Sequence, residues 1–281
     1  MPELPEVETT VRALRHGILR KKIRGASASA HQLFEDKRLF KTIGALLRGD
    51  SFTSISRHGK YLTFHLKSGR VMLAHMKMTG HFLIISVRRP IGMIRRYAGY
   101  IRFWIKFADG TKLLFSDVRK FGRIWLIPKS RLAGFFSGRK IAKDALDIGF
   151  TEEYLKSQIL SDRNIKALLL DQTRIAGLGN IYTDEILWRA KINPLRRGTD
   201  LTEKEVKRIL AAIRYTLYAG IKAGGSSIRD YRKPDGSPGY FQTKRAVYQR
   251  AGEPCPKCGA KIKRIVVAQR GTHYCPKCQK L

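Results

Sequence analysis

The sequence predicts an α+β, multi-domain protein: an N-terminal β-sandwich with a flanking helix, a helical domain, and a C-terminal ribbon. Three observations predict this fold class. A helical apolar stripe opens the chain, short alternating strands follow, and helical segments return before a tail that contains all four cysteines. The chain of 281 residues is long enough for several compact units. We expect domains at residues 1–135, 136–243 and 244–281.

The first element is a predicted helix over residues 5–18. Pro5 suits the first helical turn, and Glu6 and Glu8 complement the positive end of the helix dipole. Its apolar residues recur at helical spacing and form one stripe: Val7, Val11, Leu14 and Ile18. This stripe predicts that one face of the helix is buried against the following strands.

Strands are predicted from about residue 52 to residue 128. In YIRFWIKF, residues 100–107, one set of side chains alternates with another, as in a half-buried strand: Ile101, Phe103, Ile105 and Phe107 with Arg102, Trp104 and Lys106. An Ala-Asp-Gly turn signal at residues 108–110 separates this strand from KLLFSDV. Short strands in direct succession predict an antiparallel sandwich or barrel, not βαβ units.

Helical patterns return after about residue 150, with short helices predicted at residues 152–160, 164–172 and 181–191. A longer helix is predicted to begin at Thr202, where Thr-Glu-Lys-Glu forms a capping box, and to end before Gly224. The stretch that follows, residues 226–243, is polar and rich in Gly and Pro. It therefore predicts a mobile loop.

The charge of the chain points to a polyanionic partner. Lys and Arg total 56 against 22 Asp and Glu, a formal net charge of +34. Cations that neutralise phosphates release condensed counterions, so nucleic acid is the expected partner. The rival is an anionic membrane, but the sequence has no apolar run of about 18 residues and no lipidation motif. We therefore expect no membrane association.

The cysteines form two Cys-x-x-Cys pairs, Cys255 with Cys258 and Cys275 with Cys278. The N-terminus has acidic residues where a signal peptide would be basic, so we expect a reducing, cytoplasmic location. Two Cys-x-x-Cys pairs at the separation seen in this sequence predict one Zn²⁺ ion with four cysteine ligands. Four thiolates leave no open coordination position, so the predicted metal is structural. Redox or disulfide chemistry is the alternative.

The opening residues allow an unusual nucleophile. Removal of Met1 would leave Pro2 with a free secondary amine, whose reference pKa is about two units below that of lysine. Attack of this amine on a sugar C1′ would give a cationic iminium that promotes elimination, with Glu3 beside it as an acid–base group. Residue chemistry alone does not exclude the simpler interpretation, in which Pro2 only shapes the start of a helix.

A glycine-rich turn, AGLGN at residues 176–180, offers a second phosphate-binding pattern. Gly177 and Gly179 allow close approach of the backbone, and Asn180 opens the next helix, whose amide groups could face an anion. A plain turn between packed helices is the commoner explanation of such glycines. Taken alone, this pattern leaves both interpretations open.

Ordered motifs from residue 1 to residue 281 resemble the bacterial formamidopyrimidine-DNA glycosylase family. The motifs are MPELPEVETTVRAL, SRHGKYL (56–62), HMKMTG (75–80), SDVRKFG (116–122), LLLDQTRIAGLGNIYTDEILWRAKINP (168–194), GGSSIRDY (224–231) and VVAQRGTHYCPKCQK. The resemblance implies a helix–two-turn–helix element in the helical domain and a four-cysteine zinc ribbon. It also implies a bifunctional glycosylase and abasic-site lyase that excises oxidised purines from duplex DNA as a monomer.

The resemblance implies catalytic roles for four residues. Pro2 would be the nucleophile that displaces the damaged base and forms a Schiff base with deoxyribose. Glu3 would donate the proton that opens the sugar ring, and Glu6 would be a supporting carboxylate. Lys60 would contact a phosphate at the lesion and assist elimination. Two successive eliminations would leave a one-nucleotide gap with phosphate at both ends.

The resemblance also implies DNA-binding residues. Asn180 and Arg270 would hold the phosphates that flank the extruded nucleotide. Met78, Arg119 and Phe121 would fill the space left by the flipped base, with Arg119 facing the orphaned cytosine. The segment 224–243 would close over the damaged base. Two further residues would bind DNA: His75, in the HMKMTG motif, and Lys166, which matches a family lysine near the base pocket.

Some features depart from the family pattern or leave alternatives open. The segment 88–99 is unusually basic, residues 144–150 lack a family proline, and the 224–243 segment differs in detail. An endonuclease VIII-type glycosylase for oxidised pyrimidines is the nearest alternative. A non-enzymatic zinc-ribbon DNA-binding protein is an alternative from another class. Retention of Met1 would leave Pro2 without a free amine and would abolish lyase activity.

Overall fold

The computed structural model describes residues 1–86, 97–228 and 230–281. Of the basic segment 88–99, residues 88–96 therefore lie outside the described residues. The chain forms two compact units. The N-terminal unit consists of Met1–Phe135 and Ala223–Tyr240, and the C-terminal unit consists of Phe136–Lys222 and Phe241–Leu281.

The N-terminal part of the chain contains three helices and eight strands within the described residues. They are α1 (Leu4–Ile18), β1 (Ile23–Ala28), α2 (Lys37–Leu47), β2 (Phe52–His58), β3 (Tyr61–Leu66), β4 (Arg70–His75), β5 (His81–Ile85), β6 (Ile101–Phe107), β7 (Lys112–Ser116), β8 (Arg123–Pro128) and α3 (Leu132–Gly138). Two four-stranded antiparallel sheets result, in the orders β1-β6-β7-β5 and β2-β3-β4-β8.

Aromatic side chains join the two sheets in the core. The Phe64 ring, on β3, lies 5.7 Å from Phe82 on β5, and Phe82 lies 4.9 Å from Phe115 on β7. Phe52 of β2 contacts Phe107 of β6 at 6.2 Å, and all five rings are fully buried. Because the Phe64–Phe82 and Phe52–Phe107 contacts run between the two sheets, the predicted β-sandwich is confirmed.

Helix α1 flanks the sandwich, as the apolar stripe predicts. Every member of that stripe is fully buried: Val7, Val11, Leu14 and Ile18. The helix begins one residue before the predicted start. Strand β1 and helix α2 were not predicted. Glycine in IRGASA weakens its strand pattern, and α2 buries fully only Ile43 and Leu47, so its stripe is narrow.

The C-terminal unit contains four further helices and a hairpin. They are α4 (Glu152–Ile159), α5 (Ile165–Leu170), α6 (Asn180–Ala190), α7 (Glu203–Lys222), β9 (Lys263–Val267) and β10 (Arg270–Tyr274). The capping box forms as predicted: Thr202 N donates to Glu205 Oε2 at 2.9 Å, and Glu205 N donates to Thr202 Oγ1 at 3.3 Å. Each predicted helix is therefore present, with ends that agree within two residues.

Residues Ala223–Tyr240 pack with the N-terminal sheets, although the predicted division groups residues 136–243 together. Ile84 N, on the edge strand β5, donates to Pro234 O at 2.8 Å. Within the segment, Gly239 N donates to Ser227 Oγ at 2.9 Å, and Ser227 Oγ donates to Tyr231 O at 2.8 Å. The segment predicted to be a mobile loop thus makes hydrogen bonds to β5 and within itself, and its mobility and the three-domain division stay predictions.

Candidate active site and DNA-binding elements

The first residues of α1 place two buried carboxylates beside Pro2. Pro2 is buried, and Glu3 and Glu6 are 3 % and 1 % exposed. Glu3 N donates to Glu6 Oε2 at 2.8 Å, which satisfies an amide at the helix start that has no intrahelical acceptor. The chain entering α1 is therefore fixed by the side chain of Glu6.

Glu6 also anchors the segment Ala223–Tyr240. Its Oε1 accepts from Ser226 N at 2.7 Å, and its backbone oxygen accepts from Tyr231 Oη at 3.1 Å. A Cβ atom at Gly225 would lie 2.9 Å from Glu6 Cγ, and Gly225 has φ +81°, so this close approach requires glycine. Burial raises the pKa of Tyr231, which keeps its hydroxyl a donor. One side chain thus links the Pro2 segment to the predicted lesion loop.

Lys60 lies in the tight turn between β2 and β3 and is 6 % exposed. Gly59, with φ +56°, makes the turn possible, and Arg57 braces it by donating to Gly59 O at 3.2 Å. Arg57 Nε also bonds Glu8 Oε2 on α1 at 3.2 Å. Burial raises the pKa of Glu8, but Arg12 and Arg57 outweigh it and hold that pKa below its usual value. The lysine-bearing turn is therefore tied to the helix that starts beside Pro2.

His75 ends β4 and is buried as a neutral ring. Its Nδ1 accepts from Lys77 N at 2.9 Å, and the ring lies edge-on to Tyr61 at 4.7 Å. Burial, with the charges of Lys77 and Lys60, lowers the pKa of His75 to about 3. Because Nδ1 accepts, the proton of the neutral ring is on Nε2, which can only donate.

Met78, Arg119 and Phe121 come together on two adjacent loops. The Arg119 guanidinium lies 4.5 Å from the Phe121 ring centroid, and its Nη1 lies 3.3 Å from Met78 Sδ. Met78 is 46 % exposed and Phe121 is 44 % exposed, unusual values for large apolar side chains. The structure thus places the three predicted void-filling residues in one exposed cluster.

The side chain of Asp117 connects these two loops by hydrogen bonds, and the sequence analysis did not predict this role. This carboxylate is fully buried and accepts from Gly122 N at 2.7 Å, from Arg119 N at 3.2 Å and from the Thr79 hydroxyl. The sequence feature that indicates this role is the Ser-Asp-Val-Arg-Lys-Phe-Gly motif. In it, an aspartate precedes a turn, and its carboxylate can accept hydrogen bonds from the amides of that turn.

In the C-terminal unit, Asn180 and the Arg270 hairpin are joined directly. Asn180 is the first residue of α6, and its Nδ2 donates to Gly271 O at 2.9 Å. Arg270 is exposed at the start of β10, after a tight turn formed by Ala268 and Gln269 at positive φ. Two predicted phosphate-binding residues are therefore neighbours within one unit.

Lys166 is fully buried in the same unit. Its Nζ donates to Asp184 Oδ1 at 2.6 Å and approaches Gly271 O at 3.4 Å. Asp184 Oδ2 accepts from His273 N at 2.9 Å. The ammonium therefore braces α5, α6 and β10, and the contact of Lys166 with DNA stays a prediction.

The four cysteines converge as zinc ligands. All four Sγ atoms lie within 4.8 Å of one another. The Cys258–Cys275 distance is 3.4 Å and the Cys255–Cys278 distance is 4.0 Å. A Zn–S bond of about 2.3 Å in a tetrahedron places sulfurs about 3.8 Å apart, so the geometry fits one structural zinc ion. Trp188 Nε1 donates to Cys255 Sγ at 3.4 Å, which connects the site to α6.

Three family models match consecutive parts of the chain. They are the formamidopyrimidine-DNA glycosylase N-terminal domain over residues 1–124, the formamidopyrimidine-DNA glycosylase H2TH domain over residues 141–232, and a zinc finger found in FPG and IleRS over residues 252–281. The chain belongs to the formamidopyrimidine-DNA glycosylase family.

Relatives cover the whole chain. The formamidopyrimidine-DNA glycosylase of Pelotomaculum thermopropionicum is 39 % identical over 282 residues, covering 100 % of both chains. That of Streptococcus pyogenes serotype M6 is 38 % identical, covering 100 % of this chain and 99 % of its own. A complex of Lactococcus lactis Fpg with an abasic-site DNA matches with TM-score 0.89 and 37 % identity, covering 99 % of this chain and 100 % of that one.

Membership of the family confirms several predictions. The chain is a DNA glycosylase of base excision repair with abasic-site lyase activity, and it carries one structural zinc finger. The helix–two-turn–helix domain is confirmed by its own family model. Over the described parts of the chain, the helices are too short or too polar to span a membrane.

Proposed function

We propose that the chain excises 8-oxoguanine and formamidopyrimidines from duplex DNA. The nucleophile in this proposal is the amine of Pro2, which becomes the free N-terminus when Met1 is removed. The observation that supports this most is the N-terminus of α1, where Pro2 is buried beside Glu3 and Glu6. The Glu3 and Glu6 side chains form a capping box at this helix start, and both carboxylates are buried next to a prospective amine in the chain. They suit a group that must exchange protons during a reaction.

The proposed reaction begins when the Pro2 nitrogen attacks C1′ and the N-glycosidic bond breaks, so that the base leaves with the bonding electrons and takes a proton. Glu3 donates a proton to the ring oxygen, and the sugar opens as an iminium on Pro2. Loss of a C2′ proton expels the 3′ phosphate, and a second elimination expels the 5′ phosphate. Lys60 holds a phosphate beside this site, and Glu6 keeps Glu3 in place through the bond to its amide.

The remaining predicted residues would bind the DNA. Asn180 and Arg270 would hold phosphates on either side of the extruded nucleotide, supported by their shared link through Gly271. The cluster of Met78, Arg119 and Phe121 would enter the vacated stack. The neutral His75 would contribute an Nε2 donor. Lys166 would act near the base, although its described position is a buried ion pair.

We further propose a monomer that acts on nucleoid DNA in the cytoplasm. In this proposal residues 1–135 form the catalytic domain, residues 136–243 form the helical domain with its lesion loop, and residues 244–281 form the zinc ribbon. The net charge of +34 supports a partner as highly charged as duplex DNA.

Oxidised pyrimidines are the second candidate substrate class. Lactococcus lactis Fpg has been crystallised with an N7-benzyl-Fapy-dG DNA and also with an oxidised-pyrimidine DNA, each matching this chain with TM-score 0.89. The purine class is favoured here by the Arg119–Phe121 pair, whose guanidinium can donate to a cytosine edge.

The test compares duplexes containing 8-oxoguanine or 5-hydroxycytosine, with borohydride to trap the Schiff base. The chain lacking Met1 should form an adduct with the purine lesion. Pro2→Gly should reduce it at least about 100-fold, because a primary amine replaces the secondary amine and its imine is not permanently cationic. Pro5→Ala is the matched control, since it changes the same helix start and should leave the adduct intact. Faster excision of 5-hydroxycytosine would favour the second candidate, and an undiminished adduct with Pro2→Gly would refute the requirement for a secondary amine at this position.

A further inference from the structure

A cleft in the C-terminal unit is lined by none of the residues proposed for catalysis or DNA binding. It has a volume of about 470 Å³ and is formed by the end of α6, the middle of α7 and the chain after residue 240. We call it the α6–α7 cleft. Its lining includes the aromatic residues Trp188, Tyr215 and Phe241 and the cations Arg189, Lys244 and Arg245. Its size lies within the ordinary range of ligand-binding clefts.

The mouth of the α6–α7 cleft carries a stacked platform. The Arg189 guanidinium lies 3.2 Å from the centroid of the Tyr215 ring, and Tyr215 is 57 % exposed. Arg189 is exposed as well. Aromatic rings and guanidinium planes are the surfaces on which unpaired nucleobases stack.

The acidic residue that lines the cleft does not neutralise the positive charge of the Arg and Lys side chains at its mouth. Among the described lining residues, the acid is Glu185, which is 5 % exposed. Its carboxylate accepts from the amides of Ala246, Val247 and Tyr248 at 2.8, 3.0 and 2.9 Å, and burial raises its pKa. The side chains at the mouth therefore present a positive surface.

The α6–α7 cleft is distinct from the proposed phosphate-binding residues. Asn180 begins α6, whereas Arg189 is nine residues further along the same helix. At a rise of about 1.5 Å per residue, the two positions are about 14 Å apart along the axis. A strand held by Asn180 and Arg270 therefore does not occupy the cleft with the same nucleotide.

We propose that the α6–α7 cleft is a second nucleic-acid site, which binds a nucleotide of single-stranded DNA. The base stacks on the Arg189–Tyr215 platform, and Lys244 and Arg245 neutralise the adjoining phosphates. Single-stranded DNA is the occupant because only an unpaired base exposes its face to such a platform, whereas a duplex buries its base faces by stacking.

The experiment measures this site while the catalytic site is blocked. The protein is first trapped by borohydride on a lesion duplex, and the purified covalent complex is titrated with a fluorescent oligothymidylate of about 15 nucleotides. Fluorescence anisotropy reports binding. Because the assay begins with a trapped adduct, failure of the proposed catalytic function is recognised before the cleft is tested.

Tyr215→Ala and Arg189→Gln should each weaken binding of the oligothymidylate roughly ten-fold, the loss expected when one stacking surface is removed. Tyr218→Ala is the matched control: Tyr218 lies on the same helix, is also 57 % exposed and does not line the cleft. It should change binding less than two-fold, which is roughly the spread of neutral surface substitutions. No binding by the covalent complex, equal losses with Tyr218→Ala, or equal affinity for an unmodified duplex would each overturn the proposal.

Discussion

At the scale of single residues, Glu6 shows what the sequence could and could not predict. Its motif placed it beside Pro2, but its bond to Ser226 joins residues 220 positions apart. Helical spacing and capping rules are local, so they cannot identify such a contact. Asp117 is a similar case, because its partners Gly122, Arg119 and Thr79 become neighbours only when two loops meet.

Asp117→Asn should destabilise the loops that carry Met78 and Arg119. An amide replaces one accepting oxygen by a donor that faces a backbone N–H, at a cost of about 1–3 kcal/mol for a buried group. Thermal unfolding and excision opposite cytosine should both report the loss. Asp109→Asn is the control, because that exposed carboxylate pairs with Lys21 and should cost less than about 1 kcal/mol. Equal losses at both positions would contradict the role given to Asp117.

His75 should make stability depend on pH. The unfolded chain titrates this histidine near 6.5, whereas burial lowers the folded pKa to about 3. Between these values the unfolded state binds more protons, so the contribution is complete above pH 6.5 and is lost as pH falls towards 3. The expected loss between pH 7 and pH 5 is roughly 1–2 kcal/mol.

Urea unfolding at several pH values measures this dependence. His75→Phe should reduce the slope without abolishing it, because burial also lowers the pKa of His81, to about 4. His16→Gln, at an exposed position on α1, should leave the slope unchanged. A slope that is identical in the parent chain and His75→Phe would show that this ring is not held neutral.

At the scale of elements, long stripes and strong caps were predictable, and short or irregular elements were not. The α1 stripe and the Thr202 capping box gave helix starts within a residue of those observed. Strand β1 has a register shift between Ile23 and Gly25 and buries little, so its pattern is weak. The zinc site was predictable from four residues because ligand spacing, unlike packing, is written directly in the sequence.

Removal of zinc should disrupt the hairpin that carries Arg270. Without the metal, four clustered thiols no longer hold the turns on either side of β9 and β10, so binding to an abasic-analogue duplex should fall at least about ten-fold. The emission of Trp188, which donates to Cys255 Sγ, should change with metal loss, and Trp188→Phe identifies that signal. Zinc but not magnesium should restore both. Unaltered DNA binding after measured metal loss would contradict this account.

At the scale of the whole molecule, the division into compact units does not follow chain order. The segment Ala223–Tyr240 returns to the N-terminal sheets after α7, a connection that composition alone described only as a polar loop. Net charge was predictable without any structure, and it predicts the class of partner but not which cations contact it. The property that tests the prediction from net charge is therefore the salt dependence of DNA binding.

Affinity for a lesion-analogue duplex should fall steeply with salt. If about 6–10 phosphates are contacted, the association constant drops roughly 10³–10⁵-fold between 50 and 200 mM salt. Arg270→Gln should reduce the logarithmic slope by about one. Arg38→Gln, which removes an exposed guanidinium already paired with Asp36, should not. A flat salt profile would refute phosphate neutralisation as the source of affinity.

The most direct test of the central claim locates the covalent bond itself. The chain lacking Met1 is trapped by borohydride on duplex DNA containing 8-oxoguanine, digested with trypsin and analysed by mass spectrometry. The account predicts a sugar remnant on the nitrogen of Pro2, in the peptide that ends at Arg12, and no adduct when Met1 is retained. A remnant on a lysine, or an adduct formed equally with Met1 in place, would contradict it.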